Sequence, residues 1–211
     1  MTNQSTAPHV KKLIDLGACD GPGESIEYAS QHATAQEAWD ACKRADWMLW
    51  LLARVAPVGS DARRLAIRCA VACARTALPY YQAEDDRAEG AAILDALDAW
   101  ATGQAPETDL LAVRNRARAL RNRLWSDAAR AAAATAAAAA TAWAAADAAY
   151  AANATANATA DATAYANARA ATRTNATAYA NANARARAVA YQQHLATMAD
   201  LIRTLAPVCP I

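Results

Sequence analysis

The sequence contains no phenylalanine and only 6 glycines and 7 prolines in 211 residues. β-Sandwiches and β-barrels need many turn residues and strand formers, so this shortage argues against both folds. No glycine-rich loop of the Rossmann or P-loop type is present, which argues against those nucleotide-binding enzymes. The net charge of +1 provides no basic excess for a phosphate backbone, and nucleic acid is therefore not an expected partner.

Long hydrophobic runs are also missing. The densest apolar stretch, from Trp47 to Ala53, is far too short to span a bilayer. The beginning of the chain, MTNQSTAPHVKK, lacks the apolar region of a signal peptide. The 5 cysteines form an odd number without a CxxC pair, a usage typical of a reducing compartment. We therefore expect a cytoplasmic protein that does not insert into a membrane.

Alanine is the residue in excess, with 67 copies, and its distribution divides the chain. Five of the 6 tryptophans precede Asp127, whereas 37 of the 63 residues from 128 to 190 are alanine. Residues 107–206 contain no glycine or proline and would extend about 150 Å as one straight helix. We predict an all-α multi-helix bundle, a single domain of residues 1–211. It comprises a Trp-rich helical half (1–106) and long alanine-rich helices (107–211) packed as a hairpin.

A period-two alternation runs through the alanine-rich part. Every even position from 152 to 170 is alanine, and the alternation resumes over 176–190. Strict alternation is typical of strands, but alanine is the best helix former and a poor strand former. The large residues also fall within an arc of about 60° at helical spacing: Trp143, Tyr150, Tyr165 and Tyr179. We therefore predict helix.

Ordinary helix start and stop signals mark the first half of the chain. Thr34 followed by Glu37 matches a capping box, and we expect one helix from there to Pro57. The acidic run 84–86 suits a helix N-terminus and Gly103 suits the C-terminal end of that helix. Further helices are predicted over 9–16, from Ser60 or Asp61 to Pro79, and over the amphipathic stretch 195–205, which should return to the core.

One predicted helix carries a stripe of arginines opposite its apolar side: Arg64, Arg68 and Arg75. Together with Trp47 or Trp50 these arginines could line a pocket for an anion or a nucleotide, since guanidinium and indole groups suit phosphate and base. Ion pairing with Asp85 and Asp86 is the simpler interpretation.

A second basic cluster contains Arg114, Arg118 and Arg121 on one helix face. These side chains could bind phosphates or an acidic partner. No aromatic residue is interleaved with them, and Glu107 and Asp109 lie just upstream, so a solvated helix face is the alternative.

Catalytic and metal-binding patterns are weak. Cys69 and Cys73 lie four residues apart and could supply two soft ligands, but no histidine completes a site at ligand spacing. Buried structural thiols are the simpler interpretation. The sequence has neither a GxSxG nor an HExxH motif. We expect no enzymatic activity, no metal and no cofactor.

Four segments occur in a recognisable order: AWDACKRADWMLWLLAR (38–54), RLAIRCAVACARTALP (64–79), DDR (85–87) and WATG (100–103). Followed by an alanine tract and an amphipathic helix, they resemble the alanine-rich immunity-protein family of bacterial and phage genes. The resemblance covers most of the chain, and its most specific element runs from Trp39 to Leu52. It implies neutralisation of a partner, as in toxin–immunity pairs, and supplies no functional residues. The alanine tract of this chain is richer in asparagine and threonine than the usual tract of that family, in which arginine and alanine are commoner.

Three functions follow as hypotheses. The first is a non-enzymatic binding protein, an immunity or anti-defence factor that neutralises a protein partner, either a toxin or a defence effector. The second is a phage-type sponge that sequesters a nucleotide immune signal. The third is a helical self-assembly module whose alanine seam pairs chains into a homo-oligomer. The candidate binding residues are Trp47, Trp50, Arg64, Arg68, Arg75, Arg114, Arg118 and Arg121.

Overall fold

The computed structural model describes residues 6–18, 23–57, 59–76, 78–80, 83–106, 110–123 and 176–211, and all regular structure in these ranges is helical. Its elements are α1 (Pro8–Asp15), α2 (Glu24–Ser30), α3 (Ala35–Ala41), α4 (Ala45–Val55), α5 (Asp61–Arg75), a 3-10 turn (Leu78–Tyr80), α6 (Glu84–Ala101), α7 (Leu110–Arg123) and α8 (Ala176–Leu205). The prediction of an all-α multi-helix bundle is confirmed for this part of the chain.

The alanine-rich part is described only at its two ends. The second alternating stretch, 176–190, lies within α8, so its prediction as helix is confirmed. The first alternating stretch and the predicted hairpin between the long helices fall outside the described residues, as does Trp125.

Several predicted helix ends are confirmed. The Thr34 hydroxyl accepts a hydrogen bond from the Glu37 amide at 3.1 Å and opens α3. The Ser60 hydroxyl accepts from the Arg63 amide at 3.1 Å and opens α5. Beyond α6, Gly103 adopts φ +78°, the left-handed conformation that glycine permits at a helix C-terminus.

The single helix predicted from Thr34 to Pro57 is wrong, because α3 ends at Ala41 and α4 begins at Ala45. Cys42 takes an extended conformation, with φ −65° and ψ 127°. The guanidinium of Arg203, on α8, donates to the carbonyls of Cys42 and Trp39. Carbonyls at a helix C-terminus lack partners within the helix, so this distant arginine stabilises the break.

The core lies where α5 meets α4, α6 and α8. The side chains there are fully buried and mostly of medium size: Cys69, Cys73, Leu97, Leu195, Met198 and Ile202. The last three residues in this list confirm that the C-terminal amphipathic stretch returns to the core.

Within the described ranges, no helix combines the length and apolar character needed to cross a bilayer. Helix α2, which the sequence signals did not predict, packs against α1 and α3 beside this core.

Candidate functional site

A cavity of about 500 Å³ lies between the first four helices and the C-terminal segment, residues 206–211. Its lining includes His9, Tyr28, Trp39, Arg44, Trp47 and Trp50. Sites for small molecules have volumes of roughly 300–1,000 Å³ and pair apolar walls with a few polar groups. We call this space the aromatic cavity.

An ion pair forms the polar corner of the aromatic cavity. Arg44 donates from Nε to Asp46 Oδ1 at 2.9 Å and from Nη2 to Asp46 Oδ2 at 2.7 Å. Asp46 is only 5% exposed, so this bidentate contact compensates a buried carboxylate. The hydrogen bond to Asp46 raises the pKa of Arg44, which keeps the guanidinium charged. Arg44 Nη1 also lies 3.6 Å from Glu24 Oε2.

Ring contacts fix the aromatic wall. The Arg44 guanidinium carbon lies 4.3 Å from the Trp47 ring centroid, a cation–π distance. The rings of Tyr28 and Trp47 are 5.7 Å apart and inclined at 55°. The Tyr28 hydroxyl donates to the Ala38 carbonyl at 3.0 Å. Burial raises the pKa of Tyr28 to about 12, so its phenol is uncharged at neutral pH. The wall therefore combines aromatic rings held by their contacts with a guanidinium held by Asp46.

The C-terminal segment forms another wall and is fastened to α3. Trp39 Nε1 donates to the Ala206 carbonyl at 3.0 Å, and Gln36 Nε2 donates to the Pro207 carbonyl at 2.9 Å. The Cys209 amide donates to Gln36 Oε1 at 2.8 Å. These bonds hold Cys209 and Ile211 in the lining of the cavity.

Of the candidate binding residues, the two tryptophans belong to the aromatic cavity. Trp47 and Trp50 both line it and are partly buried. The guanidinium that accompanies them is that of Arg44, which the sequence interpretation did not select.

The three arginines of α5 lie elsewhere, against α6. Arg75 Nη2 is 2.6 Å from Asp95 Oδ1, and Arg68 Nε is 3.8 Å from Asp98 Oδ1. The Arg64 guanidinium carbon lies 5.8 Å from the Trp100 ring centroid. The structure thus does not bring these arginines into a pocket with Trp47 and Trp50. Their carboxylate partners lie further along α6 than the predicted Asp85 and Asp86.

Among the α7 arginines whose side chains the structure describes, none lines the aromatic cavity. Arg118 is exposed and Arg114 is partly buried. The Nε atom of their neighbour Arg116 lies 3.9 Å from Oε1 of Glu89 on α6. The side chain of Arg121 falls outside what the structure describes.

Four cysteines of the described ranges are free. Burial raises the pKa of Cys69 to about 12 and also raises that of Cys73, so both are uncharged thiols inside the core. Cys42 and Cys209 line the aromatic cavity, and burial raises the pKa of each. No group of three or more His, Cys, Asp or Glu side chains in the described ranges could hold a metal ion.

Sequence reasoning missed Tyr28, Arg44 and Asp46. The only local indication was an arginine and an aspartate two residues apart, directly before Trp47. Tyr28 lies on α2, and its contact with Trp47 depends on tertiary packing alone. No protein-family model, no curated protein and no solved structure matches this chain.

Proposed function

We propose that the protein is a non-enzymatic binding protein, an immunity or anti-defence factor that neutralises a protein partner. The observation that carries this proposal is a set of partly buried side chains on one side of the molecule: Tyr28, Arg44, Trp47 and Trp50. We call this set the aromatic–arginine cluster. Tryptophan, tyrosine and arginine are the residue types that contribute most to the binding energy of protein interfaces.

The cluster is already ordered before any partner arrives. Trp47 is held between the Arg44 guanidinium and the Tyr28 ring, and Arg44 is held by Asp46. Fixed rings lose little conformational entropy on binding, and burial of apolar surface contributes about 25 cal/mol per Å². The resemblance of segments 38–54 and 64–79 to alanine-rich immunity proteins gives separate support to partner neutralisation.

Sequestration of a nucleotide signal is the second candidate. The meeting of Arg44, Trp47 and Trp50 around one cavity favours it, because arginine and tryptophan suit phosphate and base. Against it, both carboxylate oxygens of Asp46 already bond to Arg44. A phosphate would meet a guanidinium already neutralised by Asp46, so the charge distribution ranks nucleotide binding behind protein binding. The alanine seam proposed for self-assembly falls mostly outside the described residues.

Co-expression and affinity purification test the proposal. The tagged full chain, the double variant Trp47→Ala/Trp50→Ala and the control Leu111→Ala are expressed in the native host. Leu111 is 57% exposed on α7 and does not line the cavity. We expect one partner to be recovered with wild type and control, and at least about tenfold less with the double variant. The partner gene, co-expressed alone, should inhibit growth, and only wild type and control should restore it.

Two results would contradict this function. One is a partner that binds the folded double variant as tightly as wild type, with folding checked by circular dichroism. The other is a nucleotide, seen by native mass spectrometry, in place of any protein.

A further inference from the structure

We infer that the aromatic cavity is a small-molecule site that takes an uncharged, ring-bearing molecule. This goes beyond the proposed function, because the ligand is a small molecule and its binding is measured on the isolated chain.

The volume of the cavity is the first argument. The aromatic cavity has a volume of about 500 Å³ and is partly open to solvent, so a ligand can enter it. It persists because α3 and the C-terminal segment are tied together by Trp39 and Gln36, which hold its walls in place. Such a space matches a whole small molecule.

The chemistry of the walls selects the class of molecule. Four aromatic side chains border the space, and aliphatic side chains and a thioether complete the apolar surface. Aromatic rings pack favourably edge-to-face or offset against other rings, and methionine sulfur makes favourable contacts with ring edges. Met48, on α4, lines the cavity beside Trp47. A planar ring system gains from every one of these surfaces, whereas a flexible polar molecule does not.

The charges at the cavity exclude ionic groups. Among its described lining residues, Arg44 and Asp46 carry full and opposite charges, and they bond to each other through two hydrogen bonds. Burial raises the pKa of Tyr28, Cys42 and Cys209, so these lining groups are uncharged at neutral pH. A ligand phosphate or carboxylate would lose its hydration and would meet a guanidinium whose charge Asp46 already compensates. The preferred occupant is therefore uncharged.

A matched pair of fluorescent probes tests the inference on the full chain. N-Phenyl-1-naphthylamine is uncharged, and 1-anilinonaphthalene-8-sulfonate has the same rings with an added sulfonate. We expect saturable fluorescence enhancement with the uncharged probe and at least about tenfold weaker binding of the sulfonate. ATP should not displace the uncharged probe. Absence of saturable binding, equal binding of the two probes or displacement by ATP would overturn the inference.

Substitutions on α3 locate the bound probe. Ala38 lines the cavity, and Ala38→Leu should lower the affinity for N-phenyl-1-naphthylamine by about tenfold because it fills the space. Ala41→Leu is the control, since Ala41 lies on the same helix, is exposed and does not line the cavity. If Ala38→Leu does not fold by circular dichroism, Trp50→Leu replaces it. Wild-type affinity in a folded cavity variant would overturn the assignment.

The two proposals fail separately. Probe binding is measured on the isolated chain, so its absence leaves partner neutralisation untouched. Conversely, a folded chain without a protein partner can still bind the uncharged probe through the same lining residues.

Discussion

The core at α5, α6 and α8 differs from the region around the aromatic cavity in what its side chains pack against. In the core, Cys69, Cys73 and Leu97 are at most 1% exposed and contact other helices directly. Around the cavity, the much larger Trp47 and Trp50 are only partly buried and border a space of about 500 Å³. In the described part of the chain, Trp47 and Trp50 are therefore less deeply buried than the small and medium-sized residues of this core.

Side-chain size offers a physical reason for the difference. Small residues such as the alanines and cysteines of α5 allow neighbouring helices to approach closely, and helix separations are generally roughly 8–10 Å. Trp47 and Trp50 carry far larger side chains and border the cavity. Trp39 is the exception, because it is 3% exposed and its Nε1 is bonded to the Ala206 carbonyl.

Removing bulk should give the largest contrast between the two regions. Leu97→Ala opens a void in closely packed surroundings, and we expect the free energy of unfolding to fall by about 2–5 kcal/mol. Leu13→Ala should lower it by less than about 1 kcal/mol, because Leu13 is partly buried and already borders the cavity. Urea unfolding followed by circular dichroism measures both. Equal losses would mean that the two regions are packed alike.

Adding bulk should likewise destabilise the core more than the region around the cavity. Ala199, on α8, is 0% exposed, and Ala199→Leu should lower the free energy of unfolding by about 1–3 kcal/mol through overpacking. Ala38→Leu places the same side chain next to empty space, and its effect should stay within about 0.5 kcal/mol. The same urea titrations apply. A large loss for Ala38→Leu would show that the cavity cannot accept additional atoms.

A hydrogen-bond deletion separates Trp39 from the other tryptophans of the cavity. Trp39→Phe keeps an aromatic ring and removes the donor to Ala206, so we expect a loss of about 1 kcal/mol. The amide of Cys209, bonded to Gln36, should also exchange hydrogen faster. Trp50→Phe is the control and should leave that amide protected. Unchanged exchange in Trp39→Phe would indicate that the C-terminal segment is held by its other contacts.

Local signals account for the parts of the fold that could be read from the sequence. Thr34 and Ser60 cap helices through bonds to residues three positions away, and Gly103 follows α6 with a positive φ. Such features depend on neighbouring residues, so their pattern in the sequence is sufficient to predict them.

The candidate site was predicted only in part, because its geometry depends on contacts between distant residues. Trp47 and Trp50 were selected for their side-chain chemistry. The break before α4 could not be foreseen, since the carbonyls it leaves are satisfied by Arg203, 161 positions after Cys42. The single helix predicted from Thr34 to Pro57 would place Arg44 in mid-helix, whereas Arg44 precedes α4 and bonds Asp46 at the helix start.

A titratable group at the edge of the core should give the smallest effect. The Nε2 atom of His194, on α8, lies 3.2 Å from the Thr76 hydroxyl oxygen. Burial lowers the pKa of His194 below its ordinary value of 6.5. The unfolded chain therefore binds a proton at a higher pH than the folded chain does. The contribution of neutral His194 to the free energy of unfolding is complete above about pH 6.5 and is lost as the pH falls toward the lowered pKa.

Urea unfolding of wild type and His194→Gln at about pH 7.5 and about pH 5.5 measures this contribution. The wild type should lose more stability on acidification than the variant, since glutamine cannot take up the proton. An equal loss in both proteins would assign the acid sensitivity to other groups.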